Sequence, residues 1–209
     1  MYSIKEIYYT IQGEGLHSGK AAIFCRFSGC NLWSGLEKDR STAVCKFCDT
    51  NFWGTDGSNG GKYSAEELAK FCKSLWPENS TSEPFIVCTG GEPLLQMDDQ
   101  LITQLKDQGF YIAIETNGTI DAPSGIDWIC VSPKANAKLK ITEGQELKLV
   151  YPQVENTPED YQHLEFEHFS LQPLDDPNQD KNTILCINYV KENPHWSLSL
   201  QTHKYLGID

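Results

Sequence analysis

Apolar, β-branched runs alternate along this chain with stretches of helical periodicity. The runs Ala21 to Phe27, Phe85 to Cys88, Phe110 to Ile114, Ile126 to Val131, Leu147 to Tyr151, His168 to Leu171 and Trp196 to Leu200 have the length and composition of strands. Ser64-Ala65-Glu66-Glu67 has the form of a capping box, in which a serine and a glutamate satisfy each other's backbone amides. It opens a helix whose Leu68, Phe71, Cys72 and Leu75 share one face, and Pro77 stops it. A second helix is predicted from about Asp98 to Gln108, with Leu101, Ile102 and Leu105 inward and Gly109 at its end. A third covers Asn182 to Glu192, before Pro194. Repeated strand, helix, strand predicts βαβ units: an α/β fold with a mostly parallel sheet, open or bent toward a barrel, and ligands at the carboxyl ends of the strands. Gly54 to Lys62 and Glu78 to Pro84 read as surface loops too short to join domains, so residues 1–209 are expected to form a single domain.

Charge and cysteine usage narrow the function. Seventeen basic against 29 acidic side chains give a formal net charge of −12, which repels phosphate backbones and disfavours nucleic-acid binding. No run approaches the ~18 apolar residues of a membrane span, and Lys5, Glu6, Glu14 and Lys20 interrupt any secretory leader, so a cytoplasmic protein is expected. Its eight cysteines are then thiols or metal ligands rather than a disulfide framework. Cys25, Cys88, Cys130 and Cys186 lie in apolar runs and Cys72 on a buried helix face, as small hydrophobes do. Cys30, Cys45 and Cys48 remain, in loop sequence where the Ala21 to Phe27 strand gives out. Three thiolates can hold three corners of a 4Fe-4S cube and leave the fourth iron open to chemistry. The alternative is a structural zinc site on the close pair Cys45 and Cys48, for which His17 is the nearest further ligand.

Thr89-Gly90-Gly91-Glu92-Pro93 follows an apolar strand; glycines there allow close approach to a ligand, and a carboxylate can hold an ammonium group. Arg26 stands in an otherwise apolar strand, where a charge needs a partner: an anionic ligand, or a structural salt bridge.

With three loop cysteines and Gly-Gly-Glu-Pro, the chain resembles the radical S-adenosylmethionine superfamily. Its C-x14-C-x2-C spacing departs from the usual C-x3-C-x2-C and is similar to a subset of the 7-carboxy-7-deazaguanine synthase family. The likeness runs nearly end to end, through Tyr9 to Gly15, Phe24 to Phe27, Gly29 to Trp33, Phe47 to Thr50, Glu115 to Gly118, Ser132 to Lys134, Leu171 to Leu174 and Gln201 to Leu206. The resemblance implies a partial, abbreviated (β/α) barrel and conversion of 6-carboxy-5,6,7,8-tetrahydropterin to 7-carboxy-7-deazaguanine with loss of ammonia, a step toward queuosine-type bases. It implies a 4Fe-4S cluster on Cys30, Cys45 and Cys48, S-adenosylmethionine, and Mg2+ at Thr50. The cofactor would meet Phe47, Cys48, Asp49, Gly91, Glu92, Glu115, Asn117, Ser132, Pro133, Lys134 and the run Gln172, Pro173, Leu174 and Asp175. The pterin would meet Ile11, Gln12, Gly13, Glu14, Arg26, Thr89, His203 and the carboxylate of Asp209. The radical derived from the cofactor would remove the C6 hydrogen and return it. The implied partners are an electron donor such as flavodoxin or ferredoxin and a second copy in a homodimer. Two other functions share some of these residues: an activase that makes a glycyl radical on a partner protein, which would use the cysteines and Gly91-Glu92 alone, and a metal-stabilised binding module without catalysis.

Overall fold

The computed structural model of the chain describes residues 1–208, so the expectation for Asp209 lies outside the described residues. The strands are β1 (Tyr2–Ile11), β2 (Ala21–Phe27), β3 (Gly61–Tyr63), β4 (Phe85–Gly90), β5 (Tyr111–Thr116), β6 (Trp128–Val131), β7 (Glu143–Tyr151), β8 (Glu165–Pro173) and β9 (Trp196–Leu198). The α-helices are α1 (Ala65–Leu75), α2 (Asp99–Asp107), α3 (Gln179–Glu192) and α4 (Thr202–Leu206). These strands join one sheet in the order β3-β1-β2-β4-β5-β6-β7-β8-β9. From β2 to β9 neighbouring strands are parallel, while β1 is antiparallel to both β2 and β3. The sheet is not closed, as in a partial barrel.

Parallel strands covered on both faces carry continuous apolar sequence, and Phe85, Ile86, Val87 and Cys88 are all buried. Ser64 caps α1, accepting from the Glu67 amide, while the Glu67 carboxylate accepts from the Ser64 amide. Asp98 caps α2 through the Leu101 amide. Among the described residues, the crossovers that contain an α-helix are β2 to β4, β4 to β5 and β8 to β9. The crossovers from β5 to β8 hold no more than the short 3-10 turn Pro158–Asp160, and this is where the barrel is abbreviated. The cysteines Cys25, Cys72, Cys88, Cys130 and Cys186 are all buried.

The hydrophobic pattern does not show three elements. β1 carries a bulge between Ile4 and Glu6, so buried Tyr2, Ile4 and Ile7 stand two and then three apart, a mixed spacing that follows neither the strand nor the helix period. The expected loop Gly54 to Lys62 ends in the edge strand β3, where Gly61 pairs with Ile4. The tail coils into α4, closed by Gly207 at φ 65°, a left-handed cap that glycine adopts freely.

Candidate active site

Two adjoining cavities open at the carboxyl ends of the parallel strands, enclosing about 970 Å³ and about 980 Å³ with their mouths included. Cys30, Cys45 and Cys48 all line the first. Cys30 lies three residues past the end of β2, and the 14-residue insertion returns the chain to it: the amides of Val44 and Cys45 both donate to the Leu32 carbonyl, at 3.1 and 3.3 Å. Within the insertion lies a 3-10 helix, Glu37–Thr42. Its Arg40 stacks on the Trp33 ring at 4.0 Å and donates through Nη1 to the carbonyls of Lys46 and Cys48, both at 3.1 Å. Burial raises the Cys30 thiol above its ordinary range and pushes Cys48 up to about 11, and a bound cation would oppose both shifts.

Glycines Gly90 and Gly91 set the distance between β4 and the Cys30 turn. A Cβ on Gly90 would stand 2.3 Å from the Phe27 carbonyl oxygen, and one on Gly91 2.2 Å from the Gly29 oxygen and 2.8 Å from Cys30 Cβ. The close approach expected toward a ligand is therefore, in the first place, an approach of one strand end to another. Gly91 lines the first cavity, whereas Glu92 and the buried Pro133 line neither. Glu92 is fully enclosed: its carboxylate accepts from the Leu94 amide at 3.0 Å, the Thr116 hydroxyl at 2.8 Å and the Asn117 amide at 2.8 Å. Burial raises its carboxyl against those bonds.

Successive strand ends complete the first cavity: Thr89 from β4, Glu115 and Asn117 at the end of β5, Ser132 and Lys134 after β6, and Gln172 to Asp175 at the end of β8. Phe47, Asp49 and Thr50 close it from the cysteine loop. Lys134 donates to the carbonyl and hydroxyl of Ser132 and lies 5.8 Å from the Phe47 ring centroid; burial lowers its ammonium, which the nearby thiols oppose.

The second cavity gathers Ile11, Gln12, Gly13, Glu14, Arg26 and His203, and shares Glu14, Asp49, Thr50, Thr89, Glu115 and Gln201 with the first. Gly13 is required by the tail: a Cβ there would lie 2.4 Å from His203 Nδ1, and the Thr202 amide donates to the Gly13 carbonyl at 2.9 Å. Arg26 already holds a protein anion, with Nε 2.7 Å from Glu6 and Nη2 donating to the Tyr8 hydroxyl at 3.0 Å. A structural salt bridge is thus present, and Arg26 lines the cavity as well.

His17 is excluded as a zinc ligand for these cysteines. It packs at the opposite strand ends, with its ring centroid 5.0 Å from Phe85 and 4.2 Å from Trp128 at the starts of β4 and β6. Burial there lowers its imidazole to about 4. Among the described residues no group of three or more His, Cys, Asp or Glu side chains is arranged to hold a single metal ion.

Several lining residues lie outside what the sequence pattern points to. Lys148 is in β7 with its ammonium 2.6 Å from Glu14 and 2.9 Å from Glu115. Burial would raise the Glu14 carboxyl, but Lys148 and Gln201 bring it down to about 2. A lone lysine within Leu147-Lys148-Leu149-Val150 is the same signal that Arg26 gives in β2. Lys204 bridges Asp49, at 2.7 Å, and Asp175, and so straps the tail across the wall of the first cavity. No helix among the described residues is long and apolar enough to cross a membrane.

No protein-family model matches the chain. It is 59% identical over 208 residues to the 7-carboxy-7-deazaguanine synthase of Caulobacter vibrioides and 56% identical over 208 residues to that of Burkholderia multivorans, with 99% of each chain covered in both cases. The crystal structure of QueE from Escherichia coli matches with a TM-score of 0.73 at 27% identity, over 95% of this chain and 93% of that one. With cysteines, strand-end glycines and a two-part cavity placed on a fold shared with that structure, and full-length relatives more than half identical, this chain belongs to the 7-carboxy-7-deazaguanine synthase family.

Proposed function

We propose that the chain converts 6-carboxy-5,6,7,8-tetrahydropterin to 7-carboxy-7-deazaguanine with release of ammonia, as a radical S-adenosylmethionine lyase in queuosine-type 7-deazapurine synthesis. The observation that carries this reading is the division of one concavity into two compartments with a common wall: three thiols and the Gly91 strand end on one side, the Ile11 to Glu14 turn and Arg26 on the other. An activase acting on a partner protein has no use for that second compartment.

The donor set fits a 4Fe-4S cluster: three thiols on one wall, with the half-buried cation of Lys134 near them to offset negative charge. When bound, the cluster and S-adenosylmethionine supply one-electron chemistry that removes and returns a substrate hydrogen. The protein's share is positioning and exclusion of water. Gly91, Asn117, Ser132, Lys134 and Gln172 to Asp175 would line the cofactor, with Phe47 at the adenine; Glu92 would act by holding the β4 and β5 ends together. Glu14 would accept from the guanidine-like edge of the pterin, a carboxylate matched to paired donors. Arg26 and His203 would meet its carboxylate side. Thr50, on the shared wall, would supply one oxygen to Mg2+, and a single hydroxyl requires the substrate to complete the shell. A homodimer in the cytoplasm, reduced by a flavodoxin or ferredoxin, completes the reading.

The test is anaerobic reconstitution and incubation with the carboxy-tetrahydropterin, S-adenosylmethionine and reductant, following formation of the aromatic deazapurine. Cys48→Ala is expected to lose both bound iron and turnover; near-normal iron and activity in that variant refute the assignment.

A further inference from the structure

The Lys148 side chain is 4% exposed, and its ammonium touches two carboxylates of the shared wall, Glu14 from the turn after β1 and Glu115 from β5. One cation between two carboxylates leaves this trio with a single net negative charge. The carboxylates are not held alike. Glu14 is gripped on both oxygens, with Gln201 donating to the second at 2.9 Å. The second oxygen of Glu115 receives a longer contact, 3.4 Å, from the Gln12 side-chain amide. A buried carboxylate that loses its cation either moves or takes up a proton. We propose that Lys148 is a positioning residue for the pterin: it fixes the Glu14 carboxylate in the orientation and charge state that receives the donor edge of the ring. This rests on the reaction proposed above.

The groups facing the Lys148 ammonium are Glu14, Glu115, Cys130 of β6, Glu146 of β7, Lys134 after β6 and His203 of α4. Burial opposes the charge on Lys148, and the carboxylates outweigh it, so the ammonium stays protonated across the accessible range. Without it, Gln201 and His203 are left to oppose the burial, and the facing carboxylates of Glu115 and Asp49, that raise the Glu14 carboxyl.

Lys148→Met alone leaves two adjacent half-buried carboxylates without their cation, so the charge-balanced pair Lys148→Met with Glu115→Gln is compared with Glu115→Gln, which keeps the Lys148 to Glu14 contact. Equilibrium binding of the carboxy-tetrahydropterin is measured from pH 5 to 8 on anaerobic protein carrying cluster and S-adenosylmethionine, without reductant. The double variant is expected to bind about tenfold or more weakly than Glu115→Gln at pH 7. Its affinity is expected to fall further as pH drops, beyond any slope in the wild type. A double variant that matches Glu115→Gln in both affinity and pH slope overturns the role of Lys148. Wild-type protein that fails to bind the pterin overturns the reaction itself, and this role with it.

Discussion

Arg40 converts the long cysteine spacing from a loose insertion into a fixed wall, and removing it measures how much that wall depends on one side chain. Arg40→Ala deletes the charged donor to the Lys46 and Cys48 carbonyls and the stack on Trp33. Both carbonyls share the Nη1 nitrogen, so they count as little more than one charge-assisted hydrogen bond, about 1.5–3 kcal/mol. The stack adds about 0.5–1 kcal/mol, and the pair with the largely exposed Glu37 adds little. A local loss of roughly 2–4 kcal/mol opens residues 31–48 about 30- to 700-fold more often. Hydrogen exchange on the metal-free protein should show that acceleration across 31–48 and leave β4 and β5 unchanged. Reconstituted iron per chain should fall in step, with Arg40→Lys intermediate because an ammonium keeps the charge without the planar fork. Equal exchange across 31–48 together with wild-type iron content would show that the insertion is held by something else.

Gly91→Ala drives a methyl group against the Gly29 carbonyl and Cys30 Cβ, atoms on or beside the backbone that cannot swing aside. It should lower the melting temperature by the equivalent of about 3 kcal/mol and reduce bound iron by displacing Cys30; a variant with normal melting and iron content contradicts the close-packing account. His17 supplies a pH dependence. Its imidazole is lowered to about 4 in the fold, while an unfolded histidine takes up a proton near pH 6.5. The unfolded state therefore binds more protons between those values, so the stability is complete above about pH 6.5 and is lost as pH falls toward 4, by at most about 3 kcal/mol. Denaturant midpoints from pH 8 to 4.5 should decline in the wild type and flatten in His17→Phe, which keeps a ring beside Phe85 and Trp128; parallel slopes would exclude His17 as the source.

Much of the site is legible in the sequence because its chemistry sits where strands end, and strand ends show as the close of an apolar run. Thr89 to Gly91, Glu115 to Asn117, Ser132 to Lys134 and Gln172 to Asp175 are all polar or glycine-bearing stretches at or just past such a close, and each contributes to the first cavity. That rule cannot see depth: Glu92 carries the expected motif, yet its carboxylate is occupied by Leu94, Thr116 and Asn117. Nor can it see which end of a strand a loop residue meets, which is why His17 stands as a ligand candidate beside cysteines that lie at the opposite end of the sheet.

Taken alone, the order of residues determined most of the strand and helix pattern, the division of eight cysteines into five in apolar runs or on a helix face and three in loop sequence, and the family likeness, because hydrophobic period and motif spacing are local properties. Tertiary structure decided which charges meet. Lys148 finds Glu14 across 134 positions of chain and Glu115 from a separate strand, Lys204 finds Asp49 and Asp175, and Arg26 takes Glu6. Ion pairing in a buried wall depends on sheet order and register, and β1, whose bulge hides it from any simple period, supplies both Glu6 and the turn that carries Glu14.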